Sequence, residues 1–251
     1  MRLVAISGSL RSKSCNAGLL RAAGASLKRH GVELEIVSPS LLGALPLFNE
    51  DEEKSGAHAN VAALRSQLAA ADGFLFATTE YNASISAALK NAIDWGSRGG
   101  NLFNAKPCAI MGAGGYAGTT KAQAHLRDIA SAINLHCLTH PELRVEIWPK
   151  GGKAPFDAAT GDVVDPSVLQ RLDWQVRRCS ESPLASPLLS HLRTLSYLSL
   201  SFRLSTLSSL LRTMPSPPPS HPHPLSKMDA LAQYAAMVRH AALDSVRYRP
   251  S

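Results

Sequence analysis

Residues 2–29 read RLVAISGSLRSKSCNAGLLRAAGASLKR. RLVAIS (2–7) is a short apolar run of the kind buried on both faces in a parallel sheet. A helical pattern begins at about Asn16, runs to Arg29 and ends near Gly31. Between them lies SGSLRSKSCN (7–16), far longer than a plain turn and nearly all able to donate a hydrogen bond or carry positive charge. A strand leaving through such a loop into a helix is the start of a βαβ unit with an anion site at its turn.

The same alternation continues outward from this unit. ELEIVS (33–38), GFLFAT (73–78), PCAIMG (107–112) and LHCLT (135–139) read as four further strands. Helical patterns occupy about 57–70, Ser84 to Trp95 and 120–133. Asp165 precedes Pro166, an N-cap followed by proline at the first helical position, and DPSVLQRLDWQVRR (165–178) continues as a helix. Residues 39–56, with Pro46 and an acidic cluster, and residues 141–165 read as irregular. The expected fold class is α/β, a doubly wound five-stranded parallel sheet with helices on both faces. In such sheets ligands bind beyond the carboxyl ends of the strands at the point where strand order reverses. The loops after strands one, three and four, SGSLRSKSCN, TTEYNASIS and MGAGGYAGTT, should therefore open onto one crevice.

Composition narrows the function classes. Apolar residues make up 45% of the 251, enough for a large core. No apolar stretch approaches the ~20 residues of a membrane span, and no secretory leader is visible before the first strand. The four cysteines, Cys15, Cys108, Cys137 and Cys179, show no zinc spacing and read as reduced thiols in a cytoplasmic protein. The nine histidines form no metal pattern. The formal charge of +7 raises the question of nucleic acid. Residues 179–227 hold Arg193, Arg203, Arg212 and Lys227 against Glu181, a net +3, which leaves +4 of mixed sign elsewhere. Small anionic ligands account for that, and nucleic acid is not expected as a partner.

In the first loop Gly8 permits close backbone approach, Ser9, Ser12, Ser14 and Asn16 offer donors, and Arg11 supplies a planar cation suited to phosphate. The plainer alternative is a polar loop capping its helix at Ser14 or Asn16. Neither GxxxxGK[ST] nor GxGxxG is present, which disfavours a nucleoside triphosphate or a Rossmann dinucleotide. In the second loop Tyr81 can lie against a planar ring and Asn82 can bond a heterocycle edge, although both are ordinary turn residues. In the third, Gly112, Gly114, Gly115 and Gly118 surround Tyr116 and would let a flat ligand approach the backbone.

Taken together, SGSLRSKSCN, EYNASISAALKNAIDW and KAQAHLR resemble the NAD(P)H-dependent FMN reductases of flavodoxin-like fold, which include quinone reductases of plants and bacteria. The resemblance covers about residues 1–178 and a short piece near 230–243. It implies FMN as cofactor, with Ser9, Arg11, Ser14 and Asn16 at the phosphate, Glu80, Tyr81 and Asn82 at the flavin ring, and Gly112, Ala113, Gly114 and Gly115 along the isoalloxazine. It also implies NADPH or NADH as co-substrate, a quinone as acceptor, ping-pong turnover, and a homodimer or homotetramer. No metal and no protein acid or base is implied. Asp94 and Trp95 read as structural, and His125 as a packing residue. Arg98 could reach an acidic residue such as Glu142 across a subunit contact. The chain departs from the family at Thr79, where proline is usual, and at Gly118-Thr119, where a glycine pair is common. The rival reading is a flavodoxin-type electron carrier, which the positive charge of the folded part opposes, since such carriers are usually acidic.

Residues 179–229 differ from the rest. Between Ser180 and Ser226, serine, leucine and proline supply 13, 12 and 8 residues. Joining Arg178 to Ala230 would put Leu169, Leu172, Val176, Leu231, Tyr234 and Val238 on one stripe. The domain reading is therefore a flavodoxin-like domain over 1–178, a poorly ordered insertion over 179–229 that splits the last helix, and the resumed helix over 230–251. A membrane-surface segment carrying Leu188, Leu192, Leu195 and Phe202 is the alternative, disfavoured because serines and threonines interrupt its apolar face.

Overall fold

A computed structural model describes residues 1–56 and 58–182. The expected strands form one all-parallel sheet. β1 (Arg2–Ser7) lies between β2 (Glu33–Ile36) and β3 (Gly73–Ala77), followed by β4 (Pro107–Gly114) and β5 (His136–Cys137), in the order β2-β1-β3-β4-β5. After β2 the chain crosses back over β1 to build β3, so strand order reverses between β1 and β3. This is the flavodoxin-like order.

Both faces of the sheet are apolar, as a parallel sheet covered on two sides requires. Val4, Ile6, Phe74, Phe76, Cys108 and Ile110 point to one face, where Leu64, Leu68, Leu89 and Phe103 complete the core. Leu3, Ala5, Leu75, Ala77, Ala109 and Met111 point to the other, against Leu19, Leu20, Leu172 and Val176. The helices that cover the two faces are α1 (Cys15–Arg29), α4 (Ala59–Ala69), α5 (Ala87–Ser97), α6 (Thr120–Ala132) and α7 (Pro166–Ser180). As expected, Asp165 caps α7, accepting from Ser167 N; of the two candidate caps of α1 it is Ser14 that acts, accepting from Ala17 N.

Three segments differ from the sequence reading. The stretch 39–56 holds two short helices, α2 (Pro39–Gly43), capped by Ser38, and α3 (Glu50–Ser55), capped by Asn49 with four acidic residues in its first turn. They are too short for periodicity to register, although both cap signals are present. Within 141–165, β6 (Leu143–Glu146) pairs with the second half of β4 in the register Met111↔Leu143 to Gly114↔Glu146. It prolongs the line of β5, which is only two residues long. On α7 the buried side chains are Val168, Leu172, Gln175, Val176 and Cys179, while Leu169, assigned above to the apolar stripe, is 40% exposed. The helix reaches Ser180. It thus runs two residues into the segment read as an insertion; the rest of that segment from 183, and the stretch read as a resumed helix, lie outside the described residues.

Trp95 is structural as expected, buried with its indole N–H donating to Pro46 O at 2.8 Å, and Asp94 accepts from Lys90. Arg98 pairs within the chain, with Glu53 and Glu50, and Glu142 with Arg127 and Arg144. Among the described residues no helix is long and apolar enough to cross a membrane, and no group of three His, Cys, Asp or Glu residues could hold a metal ion.

α1 and α7 are tied by Asp173. It accepts from the Ser26 hydroxyl and from Arg29 at 2.9 Å, and forms ion pairs without a hydrogen bond to Arg177 at 3.1 Å and to His30 at 3.6 Å. The Ser26 hydroxyl first, then the neighbouring cations, hold its carboxyl below the usual range. A depressed carboxyl contributes stability above its unfolded pKa, and that contribution is lost as pH falls through the folded value. Asp173→Asn should lower stability at pH 7 by roughly 1 kcal/mol, given partial exposure of the group. Urea titrations should show the difference from wild type closing as pH drops below about 4.

Candidate functional site

The ends of β1 and β3 touch. Gly8 N donates to Ala77 O at 2.8 Å, and a Cβ at Gly8 would lie 2.9 Å from Thr79 N and 3.3 Å from Thr78 Cα. Only glycine lets the first loop pass the second this closely. Beyond Gly8 the chain turns through a hydrogen bond from Ser9 N to Ser7 Oγ and enters α1 at Ser14. Ser9, Ser14 and Asn16 are buried, while Arg11 is exposed. The first turn of α1 contains no acidic residue, and the main-chain N–H groups of Cys15 and Asn16 lie too early in the helix for an intrahelical acceptor. The Arg11 guanidinium has no carboxylate partner among the described residues. Its charge reaches Cys15, opposing the burial that pushes that thiol up. A helix N-terminus without an acidic neighbour, beside an unpaired guanidinium and buried hydroxyls, suits a phosphate group.

The second loop carries a tight turn. Tyr81 and Ser84 exchange two main-chain hydrogen bonds of 3.0 Å, around Asn82 at φ 51° and Ala83 at φ 64°. Two positive φ values in a two-residue turn are the type I′ pattern; asparagine accepts it, whereas alanine does so at a cost of about 1–2 kcal/mol. The turn leaves the Tyr81 ring half exposed at the crevice. Glu80 Oε2 accepts from Lys121 N at 2.9 Å and Ala122 N at 3.0 Å, capping α6 and fixing where that helix begins. His125, expected to pack, is instead exposed and bonds Ser84 Oγ through Nδ1 at 3.1 Å.

The third loop closes the crevice. A Cβ at Gly112 would fall 2.0 Å from Thr119 Oγ1 and 2.5 Å from Thr78 O, so the strand end lies flat against its neighbours. Asn16 joins this loop to the first. Its Nδ2 donates to Ala113 O at 2.9 Å and its Oδ1 accepts from Ala113 N at 2.8 Å, all buried. With its carboxamide committed there, Asn16 can offer an anion its main-chain N–H. Gly115 is open apart from Trp148, whose Cζ3 would lie 3.9 Å from a Cβ there.

The structure thus brings together the first loop, Glu80–Asn82 and Gly112–Gly115. It adds residues that the sequence reading missed. Trp148, 76% exposed, follows β6 and lies beside Gly115, and Lys150 Nζ lies 5.7 Å over the Tyr116 ring. The segment 155–164 braces the first loop from outside: Gly161 sits against Lys13 O, where a Cβ would be 2.9 Å away, and Arg21 bonds Asp162 Oδ1 at 2.6 Å and Thr160 O at 3.0 Å. Asp157 shapes that segment by accepting from Ala159 N and Thr160 N. The Asp157-x-x-Thr160-Gly161 turn signal was present in the sequence; what it packs on was not.

A parallel doubly wound sheet with a phosphate-type cradle and a glycine-lined ledge at its switch point defines a flavodoxin-like nucleotide-binding protein. Comparison with known proteins is consistent with this. The model of the NADPH-dependent FMN reductase family matches residues 1–149. The chain is 41% identical over 175 residues to an NADPH:quinone oxidoreductase from Arabidopsis thaliana, covering 68% of this chain and 86% of that one. It is 38% identical over 179 residues to an NAD(P)H-dependent FMN reductase from Pseudomonas aeruginosa, covering 70% and 92%. Among solved structures it is similar to the flavoenzyme NAD(P)H:(acceptor) oxidoreductase FerB from Paracoccus denitrificans, with a TM-score of 0.60 and 27% identity over 70% of this chain and 93% of that one.

The chain belongs to the NADPH-dependent FMN reductase family. It is an oxidoreductase with FMN as cofactor and NAD(P)H as electron donor. The cradle described above fits the FMN phosphate, and the Gly112–Gly115 ledge fits a flat ring.

Asn16→Ala should cost about 2–5 kcal/mol, because it leaves the buried N–H and C=O of Ala113 without partners. Denaturant unfolding of the flavin-free protein should show the loss, and flavin retention should fall with it.

Proposed function

We propose that the protein reduces quinones by two electrons, with NAD(P)H and quinone taking turns in one crevice. The observation that carries this reading is the convergence of three loops on a single ledge at the sheet's carboxyl edge, with half-exposed Tyr81 on the second loop and Trp148 beside Gly115 on the third. The bound flavin supplies the chemistry, accepting a hydride and returning two electrons. Ser9, Ser14, Arg11 and the first N–H groups of α1 hold the phosphate. Tyr81 and Asn82 on the type I′ turn, and Gly112–Gly115, position the ring, while Glu80 holds α6 and thereby that ledge. The overall change is NAD(P)H plus a proton plus quinone giving NAD(P)⁺ and hydroquinone. Water supplies the proton at this open site, where no side chain is assigned as acid or base. A homodimer or homotetramer in the cytoplasm completes the proposal, resting on the family resemblance.

Initial-rate measurements test the shared crevice. NADPH varied at several fixed quinone concentrations should give parallel double-reciprocal lines. Intersecting lines would mean that both substrates bind together and would overturn the proposal. A protein that holds FMN yet consumes no NADPH in the presence of quinone would instead be an electron carrier.

A further inference from the structure

Among the described residues β5 is the shortest strand, and it lies at the sheet's edge, joined to β4 by two register pairs, Pro107↔His136 and Cys108↔Cys137. The second pair sets two thiols side by side, with Sγ atoms 2.8 Å apart. A disulfide bond measures about 2.05 Å, so closure needs a movement of less than an ångström. Directly opposed residues on neighbouring strands also lie within the Cα range that a disulfide spans.

We propose that Cys137 and Cys108 form a peroxide-reactive dithiol, which closes reversibly into a disulfide that staples the edge strand to β4.

The two sulfurs are not equivalent. Cys108 is fully buried in the core with Phe74, Ile110 and Leu126, and burial pushes its thiol well above the usual range. Cys137 is only half-buried. The hydrogen bond with Cys108 lowers its thiol against the opposing effect of burial, and the Arg127 guanidinium, held just past this strand by a 2.9 Å bond to Leu138 O, adds to the lowering. A thiol that is only partly buried, lies beside a guanidinium and touches a second thiol is the arrangement of a peroxide-sensing cysteine with its resolving partner. The other cysteines lack it. Burial raises Cys179 to about 12, and Cys15 is also raised.

The chemistry is balanced with a hydroperoxide as oxidant. The Cys137 thiolate attacks one peroxide oxygen; an S–O bond forms, the O–O bond breaks, and the departing hydroxide takes a proton to leave as water. Cys108 sulfur then attacks the sulfenic sulfur. The S–S bond forms, the S–OH bond breaks, and the hydroxyl leaves as water with the Cys108 proton. The two sulfurs together lose two electrons and the peroxide oxygens gain two. An external dithiol reductant reverses the closure by exchange. The pair stands at the start of β4, while Gly112–Gly114 at its far end belong to the crevice, so the staple should leave flavin binding unchanged.

The test uses the full chain with oxidised flavin bound and no NADPH, so that no peroxide arises from turnover. The protein is treated with hydrogen peroxide, alkylated under denaturing conditions, and mapped by mass spectrometry without reduction. The expected result is loss of two hydrogen atoms, Cys108 and Cys137 both protected and joined in one peptide pair, Cys15 and Cys179 still alkylated, and full reversal by dithiothreitol. Cys108→Ser should abolish the loss and leave Cys137 as a sulfenic acid that dimedone traps. Both thiols remaining open to alkylation in treated wild type would overturn the proposal. So would Cys137 reaching the sulfinic acid with Cys108 still free, or bonding to Cys179. The wild-type map decides the matter even if the variant does not fold.

Discussion

The site depends on how closely three strand ends approach one another. Gly8 lies against the main chain of Ala77–Thr79, Gly112 lies against Thr78 and Thr119, and the Asn16 carboxamide closes the triangle by bonding both main-chain groups of Ala113. None of these contacts tolerates a larger or apolar replacement, because each sets backbone against backbone or satisfies buried polar groups. A ligand that spans the three loops therefore meets a surface already fixed before it arrives. The alternating packing of Val4, Ile6, Leu3 and Ala5 on the two faces holds β1 in the register that makes this possible.

Bracing from outside the sheet serves the same end. The 155–164 segment presses Gly161 on Lys13 and Ser14, where the first loop becomes helix, and Gly18 admits it: a Cβ there would lie 1.9 Å from Gly161 O. The Arg21–Asp162 pair is exposed and of small energetic value alone, but it orients the segment over α1. Glu80 acts likewise on α6. Its carboxylate is used to start a helix, and the type I′ turn beside it sets Tyr81 at the crevice.

Much of this was legible in the sequence. Apolar runs such as RLVAIS and GFLFAT, separated by helical periods, led to the parallel sheet, and the polar length of SGSLRSKSCN marked the loop at which a phosphate is proposed to bind. What was not legible depends on long-range contacts. LRVE alternates over only four residues, too few to distinguish a strand until β4 is there to pair with it. Asn16 reads equally as a cap or a phosphate donor, and only the position of Ala113 shows what its side chain bonds. Trp148 carries no local signal at all; it reaches the crevice because β6 runs parallel to β4 and ends beside Gly115. On α7, Leu169 and Val168 are adjacent, and the choice of which one faces α1 and the sheet is made by tertiary packing.

The central claim is that the α1 N-terminus and Arg11 hold the phosphate of FMN, and a paired titration tests it most directly. FMN and riboflavin differ only in that phosphate. Measured by flavin fluorescence quenching, Arg11→Ala should weaken FMN binding by about 1.5–3 kcal/mol, the size of a hydrogen bond to a charged group, and leave riboflavin binding nearly unchanged. Equal losses for the two flavins, or no loss for FMN, would contradict the account.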